Sequence, residues 1–269
     1  MGSSLSEEPL STQVGTVQVL RAGTGDPVVY LHSAMGEGAG MLFLEELAEE
    51  RAVVAPVFPG FGGSEGIDSI EDMDDAVFHL LDVLDRLGLS SPAVVGLSLG
   101  GWMAAELAVR YPDRVSRLVL VNPAGLYIPG AEIKELFGRP LRELAEDMFA
   151  DQSHPMAQMM SQLDIMAASE VEIPFEVLRP LLQSMAATAK LAWDPYLHDP
   201  KLARRLHRVS SPALIVRGAQ DTLVPRAHAE AYARGIFNAR LVEVDGAAHL
   251  LPLEKPDELV ELVGAHLGA

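Results

Sequence analysis

Apolar positions along the chain fall into two alternating rhythms. Short unbroken runs, Val28-Val29-Tyr30-Leu31, Ala52-Val53-Val54-Ala55, Ala93-Val94-Val95-Gly96-Leu97 and Leu118-Val119-Leu120-Val121, read as buried strands, and residues 14–20, 213–216 and 241–244 join them. Between them, residues 41–50, 70–87, 99–111, 227–236 and 257–267 repeat their apolar positions at helical spacing. Asp and Glu crowd the first turn of the 70–87 segment, where the positive end of a helix dipole favours them. A strand, a helix and another strand imply a right-handed parallel crossover, so the pattern predicts an α/β fold with a mostly parallel sheet flanked by helices.

The rhythm stops at Asn122-Pro123-Ala124-Gly125 and resumes near residue 200. The stretch between contains helical patterns and no strand, which predicts an inserted helical cap. The chain therefore divides into a first core part at 1–126, a cap at 127–199 and a second core part at 200–269. Six of the 11 methionines lie at positions 148, 156, 159, 160, 166 and 185. Flexible thioethers of this kind line adaptable apolar pockets, which makes Met159, Met160 and the nearby Trp193 candidate pocket residues.

Composition narrows the field. A formal net charge of -18 repels phosphate backbones and anionic membrane surfaces, and no basic stripe offsets it, so no nucleic-acid and no membrane partner is expected. The short cluster Arg204, Arg205, His207 and Arg208 reads as a solvated helix face. With no cysteine, the chain has no disulfide, no thiolate metal site and no cysteine nucleophile. No apolar run approaches the ~20 residues of a membrane span. The opening Met1-Gly2-Ser3-Ser4-Leu5-Ser6 lacks the basic region and apolar core of a secretory signal, although it fits the loose N-myristoylation pattern, and a cytoplasmic location is expected.

The chemistry concentrates at Gly96-Leu97-Ser98-Leu99-Gly100, a G-x-S-x-G sequence lying between a strand and a helix. Glycines there permit the strained turn that lifts a serine hydroxyl clear of the sheet, and the following helix aims its positive end at developing negative charge. A serine hydroxyl is a weak nucleophile at neutral pH, so the motif calls for a histidine base and an acid to orient it. Asp221 follows the strand at 213–216 and His249 follows the strand at 241–244. Both fall just past the carboxyl ends of strands, the edge where an open α/β sheet assembles its site, and the order Ser, Asp, His is the one this architecture uses. No histidine–carboxylate spacing suggests a metal site, and no pattern requires a cofactor.

These pieces, with His32 after the early strand and the turn Pro59-Gly60-Phe61-Gly62-Gly63-Ser64, make residues 14–267 resemble a cap-bearing α/β-hydrolase. The resemblance implies Ser98 as nucleophile, His249 as general base and Asp221 as its orienting acid. It also implies an oxyanion hole built from the backbone N–H groups of Leu99 and Ala34. Ser33 stands where relatives carry the glycine of a His-Gly pair, which leaves the choice between Ala34 and Ser33 open. Val57 stands where many relatives carry an aspartate.

The expected activity is serine-dependent hydrolysis of a carboxylic ester of a small, largely apolar substrate through an acyl-enzyme, with homo-oligomerisation left open. The alternatives are carbon–carbon bond hydrolysis of vinylogous diketones, whose enzymes carry a tryptophan where this chain has Leu250, and a sensor that uses the pocket without turnover.

Overall fold

The computed structural model describes residues 5–169 and 172–268, so the first four residues of the N-myristoylation match lie outside the described residues. Eight strands form one sheet: β1 (Ser6–Ser11), β2 (Thr16–Ala22), β3 (Pro27–Leu31), β4 (Ala52–Pro56), β5 (Ala93–Leu97), β6 (Arg117–Val121), β7 (Ala213–Gly218) and β8 (Ala239–Val244). Their order is β1-β2-β4-β3-β5-β6-β7-β8; the β1–β2 and β2–β4 pairs are antiparallel and every other pair is parallel.

The helices are α1 (Leu42–Leu47), α2 (Met73–Arg86), α3 (Leu99–Arg110), α4 (Leu141–Met148), α5 (Pro155–Ala168), α6 (Phe175–Ala192), α7 (Arg226–Gly235), α8 (Leu251–Glu254) and α9 (Pro256–Leu267). None among the described residues is long and apolar enough to cross a membrane. Helix α2 starts three residues later than the apolar period suggests, because the Asp72 carboxylate accepts the N–H groups of Asp74 and Asp75 and so caps the helix there. The expected helix at 41–50 shortens to α1.

The central strands are sealed on both faces. All five residues of β5 and all six of β7 are buried, as helices on either side of a parallel sheet require. By contrast, β1 is exposed along nearly its whole length and pairs only with β2 at the sheet edge.

Helices α4 to α6 all lie between β6 and β7. The two ends of this insertion are pinned together: Gly125 N–H donates to Leu197 O at 2.9 Å, and Asp199 N–H donates to Gly125 O at 3.0 Å. Strands β5 and β6 are parallel neighbours, so the insertion leaves the sheet beside the carboxyl end of the strand that delivers Ser98.

Candidate active site

Ser98 occupies the turn between β5 and α3 with φ +54°, a conformation uncommon for a residue bearing a side chain. Its neighbours explain how the turn survives. A side chain at Gly100 would strike the backbone of Leu31 and His32, and one at Gly96 would strike the backbone of Gly100. Both positions must therefore be glycine for β3, β5 and α3 to meet so closely. The strained backbone presents the Ser98 hydroxyl at the amino end of α3, where unpaired N–H groups and the helix dipole favour negative charge.

The structure brings the three dispersed sequence candidates together. Ser98 Oγ lies 2.8 Å from His249 Nε2, and His249 Nδ1 lies 2.9 Å from Asp221 Oδ2. Asp221 is an acceptor here, so Nδ1 carries the imidazole proton and leaves Nε2 free to accept from the serine hydroxyl. The other Asp221 oxygen accepts the backbone N–H groups of Leu223 and Val224, each at 2.9 Å. All three side chains are buried. A carboxylate so held can orient the imidazole and balance its charge once protonated.

In the loop after β3 the backbone donors differ in occupancy. Ser33 N–H donates to Glu37 Oε1 at 2.7 Å, Met35 N–H to Ser33 Oγ at 3.0 Å, and Gly36 N–H to Ser33 O at 3.1 Å. Among the hydrogen bonds of the described residues, Ala34 N–H donates to none, and Leu99 N–H lies in the unpaired first turn of α3. Ser33, Ala34 and Ser98 all line one cavity. His32 fixes the loop from behind: its Nδ1–H donates to Ser33 O at 2.8 Å and its Nε2 accepts Phe58 N–H at 3.0 Å. Burial lowers the His32 pKa, in keeping with a neutral ring that both donates and accepts.

Above Ser98 and His249 lies a narrow, largely enclosed cavity with an accessible volume of ≈ 10 Å³. Its walls are apolar: Met35 and Ala124 from the core, Ile133, Leu136, Met148 and Leu197 from the insertion, and Leu223 with Val224 from the loop after Asp221. Met159, Met160 and Trp193, the expected pocket residues, are not among them. Met159 and Met160 are adjacent on α5, so one must face away: Met159 is 50% exposed, whereas Met160 is 3% exposed and packs into the core. Trp193 is 61% exposed and lies against Phe137, with ring centroids 5.4 Å apart.

Residues without a motif complete the support. Asn122, at the end of β6, donates through Nδ2 to the backbone oxygens of Ala248 and His249 and accepts Gly218 N–H through Oδ1. Arg217 Nη2 donates to Asp221 O at 2.9 Å. The one sequence signal for Asn122 is the abrupt end of the apolar run at that position.

Comparison with known proteins agrees with this architecture. The family model described as alpha/beta hydrolase fold matches residues 26–256. The 2-hydroxymuconate semialdehyde hydrolase of Pseudomonas sp. strain CF600 is 30% identical over 264 residues, covering 91% of this chain and 88% of that protein. The dihydrolipoyllysine-residue acetyltransferase component of the acetoin cleaving system of Cupriavidus necator is 29% identical over 256 residues. That match covers 92% of this chain, which spans only 65% of the relative's length. Among solved structures, the 2-hydroxy-6-oxo-6-phenylhexa-2,4-dienoate hydrolase from Rhodococcus sp. strain RHA1 superposes with a TM-score of 0.80 at 25% identity, covering 99% of this chain and 100% of that one.

Proposed function

The chain belongs to the alpha/beta hydrolase fold family, and from that premise we propose that it is a serine hydrolase of carboxylic esters with a neutral, largely apolar acyl group. The observation that carries the reading is the hydrogen-bonded series Ser98, His249 and Asp221 at the floor of an apolar cavity.

In this reading Ser98 Oγ attacks the ester carbonyl while His249 Nε2 takes the hydroxyl proton, and Asp221 balances the imidazolium. The carbonyl oxygen becomes an oxyanion that accepts from the N–H groups of Leu99 and Ala34. Collapse expels the alcohol, which takes the proton from His249. Water, activated by the same imidazole, then releases the acid and restores Ser98.

Carbon–carbon bond hydrolysis is the second reading, favoured by the resemblance to two hydrolases named for a muconate semialdehyde and a dienoate. Those substrates carry a carboxylate. The cavity at Ser98 offers no Arg or Lys among its lining residues, and a carboxylate buried there unpaired would cost several kcal/mol. Neutral esters fit this lining better.

The test is fluorophosphonate labelling of Ser98 together with turnover of p-nitrophenyl esters and of a 2-hydroxy-6-oxo-dienoate. Ester turnover that exceeds dienoate cleavage supports the proposal. Dienoate cleavage without ester turnover selects the second reading, and labelling without turnover of either identifies a sensor.

A further inference from the structure

We propose that Asp147 is a positioning residue that locks the roof of the cavity to the loop carrying Asp221 and so sets which acyl lengths reach Ser98. The inference rests on the serine-hydrolase reading above. Asp147 is a buried carboxylate, 6% exposed, directly before Met148 of the cavity wall. A charge in such a place is costly unless several donors compensate it, so its partners define what it holds.

Thr222 and Lys134 adjoin residues that line the cavity, and Arg139 follows another by three positions. Thr222 Oγ1 donates to Asp147 Oδ1 at 2.6 Å, and Thr222 sits between Asp221 and the cavity residue Leu223. Lys134 Nζ donates to the same oxygen, and Arg139 Nη1 donates to Oδ2 at 2.9 Å; these two cations flank Leu136. Asp147 itself precedes Met148, whose side chain forms part of the roof. One carboxylate thus ties three separate stretches of the wall to one another.

The backbone repeats the link twice. Lys134 N–H donates to Leu223 O at 3.0 Å, and Leu250 N–H, adjacent to His249, donates to Met148 O at 3.0 Å. The carboxyl end of α4 therefore touches both the loop of the proposed acid and the loop of the proposed base. Loosening Asp147 should let the roof shift relative to Ser98 while leaving the serine–histidine contact in place. Long acyl groups, which need the roof to give way further above Ser98, should feel that shift more than short ones.

The experiment compares the rates at which Ser98 is labelled by a short-chain and a long-chain alkyl fluorophosphonate. The ratio of the two rates is independent of the folded fraction, so a purely structural role leaves it unchanged. Asp147→Asn removes the charge, and Thr222→Val removes one donor while leaving Asp147 paired with Lys134 and Arg139. Both single variants are expected to shift the ratio by about fivefold or more in the same direction. The double variant should shift little further, because both changes break one contact. Thr222→Ser, which keeps the hydroxyl, should restore the original ratio. With p-nitrophenyl esters the variants should raise KM for long acyl chains more than they lower kcat for acetate.

Unchanged ratios in the folded variants overturn the proposal, and Thr222→Val alone decides it if Asp147→Asn does not fold. Failure of the unsubstituted protein to label overturns the hydrolase reading beneath it and is told apart because it precedes any substitution.

Discussion

Asn122 grips His249 by its backbone: the carboxamide Nδ2 lies 2.8 Å from His249 O, while its oxygen accepts Gly218 N–H at 3.0 Å. One side chain thus spaces the loop after β8 from the end of β7, and with it the imidazole from Asp221. Asn122 adopts φ +42°, which asparagine tolerates better than most residues. Asn122→Ala leaves buried backbone groups unpaired, at roughly 1–3 kcal/mol for each group that finds no substitute. A lower melting temperature is expected, with ester kcat falling by about tenfold or more even at temperatures where the variant is folded. Asn122→Asp keeps the bond to Gly218 but not the two donations, so its kcat should also fall. Normal kcat in both variants would show that His249 holds its place without this grip.

Ser98→Ala should remove roughly 10⁴-fold or more of ester turnover, because nucleophile and base act as one unit. His249→Ala should lose a similar amount, and the double variant little more. The check is turnover with circular dichroism to verify the fold. Near-normal turnover by Ser98→Ala would transfer the chemistry to another residue.

Ala34→Pro deletes the N–H that the neighbouring donors leave unoccupied. If that group takes the oxyanion, kcat should fall by roughly 10²–10³ with KM altered far less. Glu37→Ala removes the acceptor of Ser33 N–H and Oγ–H and should lower kcat by a smaller factor through a looser loop. A folded Ala34→Pro protein at full activity would exclude Ala34 as a donor.

What the sequence could and could not reveal follows from the range of each signal. The strand-turn-helix around Ser98 is written in consecutive residues, because the turn needs glycine at fixed places, and Asp221 and His249 follow strands marked by apolar runs. The edge strand β1 escaped because Glu7, Glu8 and Pro9 lie on an exposed ribbon with no buried face to impose a period. The cavity wall escaped for a different reason. Ile133 and Leu136 lie in irregular chain before α4, where no periodicity operates, and methionine content alone could not say which side of α5 meets the cavity. Asp147 and Thr222 meet across 75 positions, a contact that exists only once the insertion has folded back.

Glu106 gives a pH prediction with a definite sign. Its side chain is wholly buried, and burial pushes its carboxyl up to about 7, with Trp102 Nε1–H opposing the rise and nearby Asp199 adding to it. The folded state therefore holds this proton more tightly than an unfolded chain, where the group titrates near its ordinary value of 4.5. Its contribution is fully present below about pH 4.5 and is lost as the pH rises through about 7. Glu106→Gln keeps a side chain of similar shape and an oxygen to accept Arg110 Nε–H, which donates to Glu106 Oε2 at 3.1 Å, and Arg110 retains its pairing with Asp74. The variant should gain stability relative to the parent by about 1–3 kcal/mol between pH 5 and pH 8. Denaturant melts at the two pH values measure this. A stability difference that does not change with pH would place the titration elsewhere.

Cavity-lining residues, rather than the methionines of α5, should govern acyl preference. Met148 and Leu136 are buried and face the space above Ser98 and His249, whereas Met159 and Trp193 are half or more exposed and lie outside that lining. Truncating a wall residue enlarges the cavity and removes contacts that only a longer acyl group can recover. Met148→Ala and Leu136→Ala should therefore shift relative kcat/KM across an ester series toward longer chains by about 1–3 kcal/mol. Both changes also empty part of the core, so lower stability is expected from them. The ranking of substrates is the informative quantity, because it is measured within one variant. Met159→Ala and Trp193→Ala should leave that ranking unchanged. An inverted pattern, with the two exposed residues controlling preference and the wall residues not, would mean that substrate reaches Ser98 across the outer face of the insertion instead of filling the cavity beneath it.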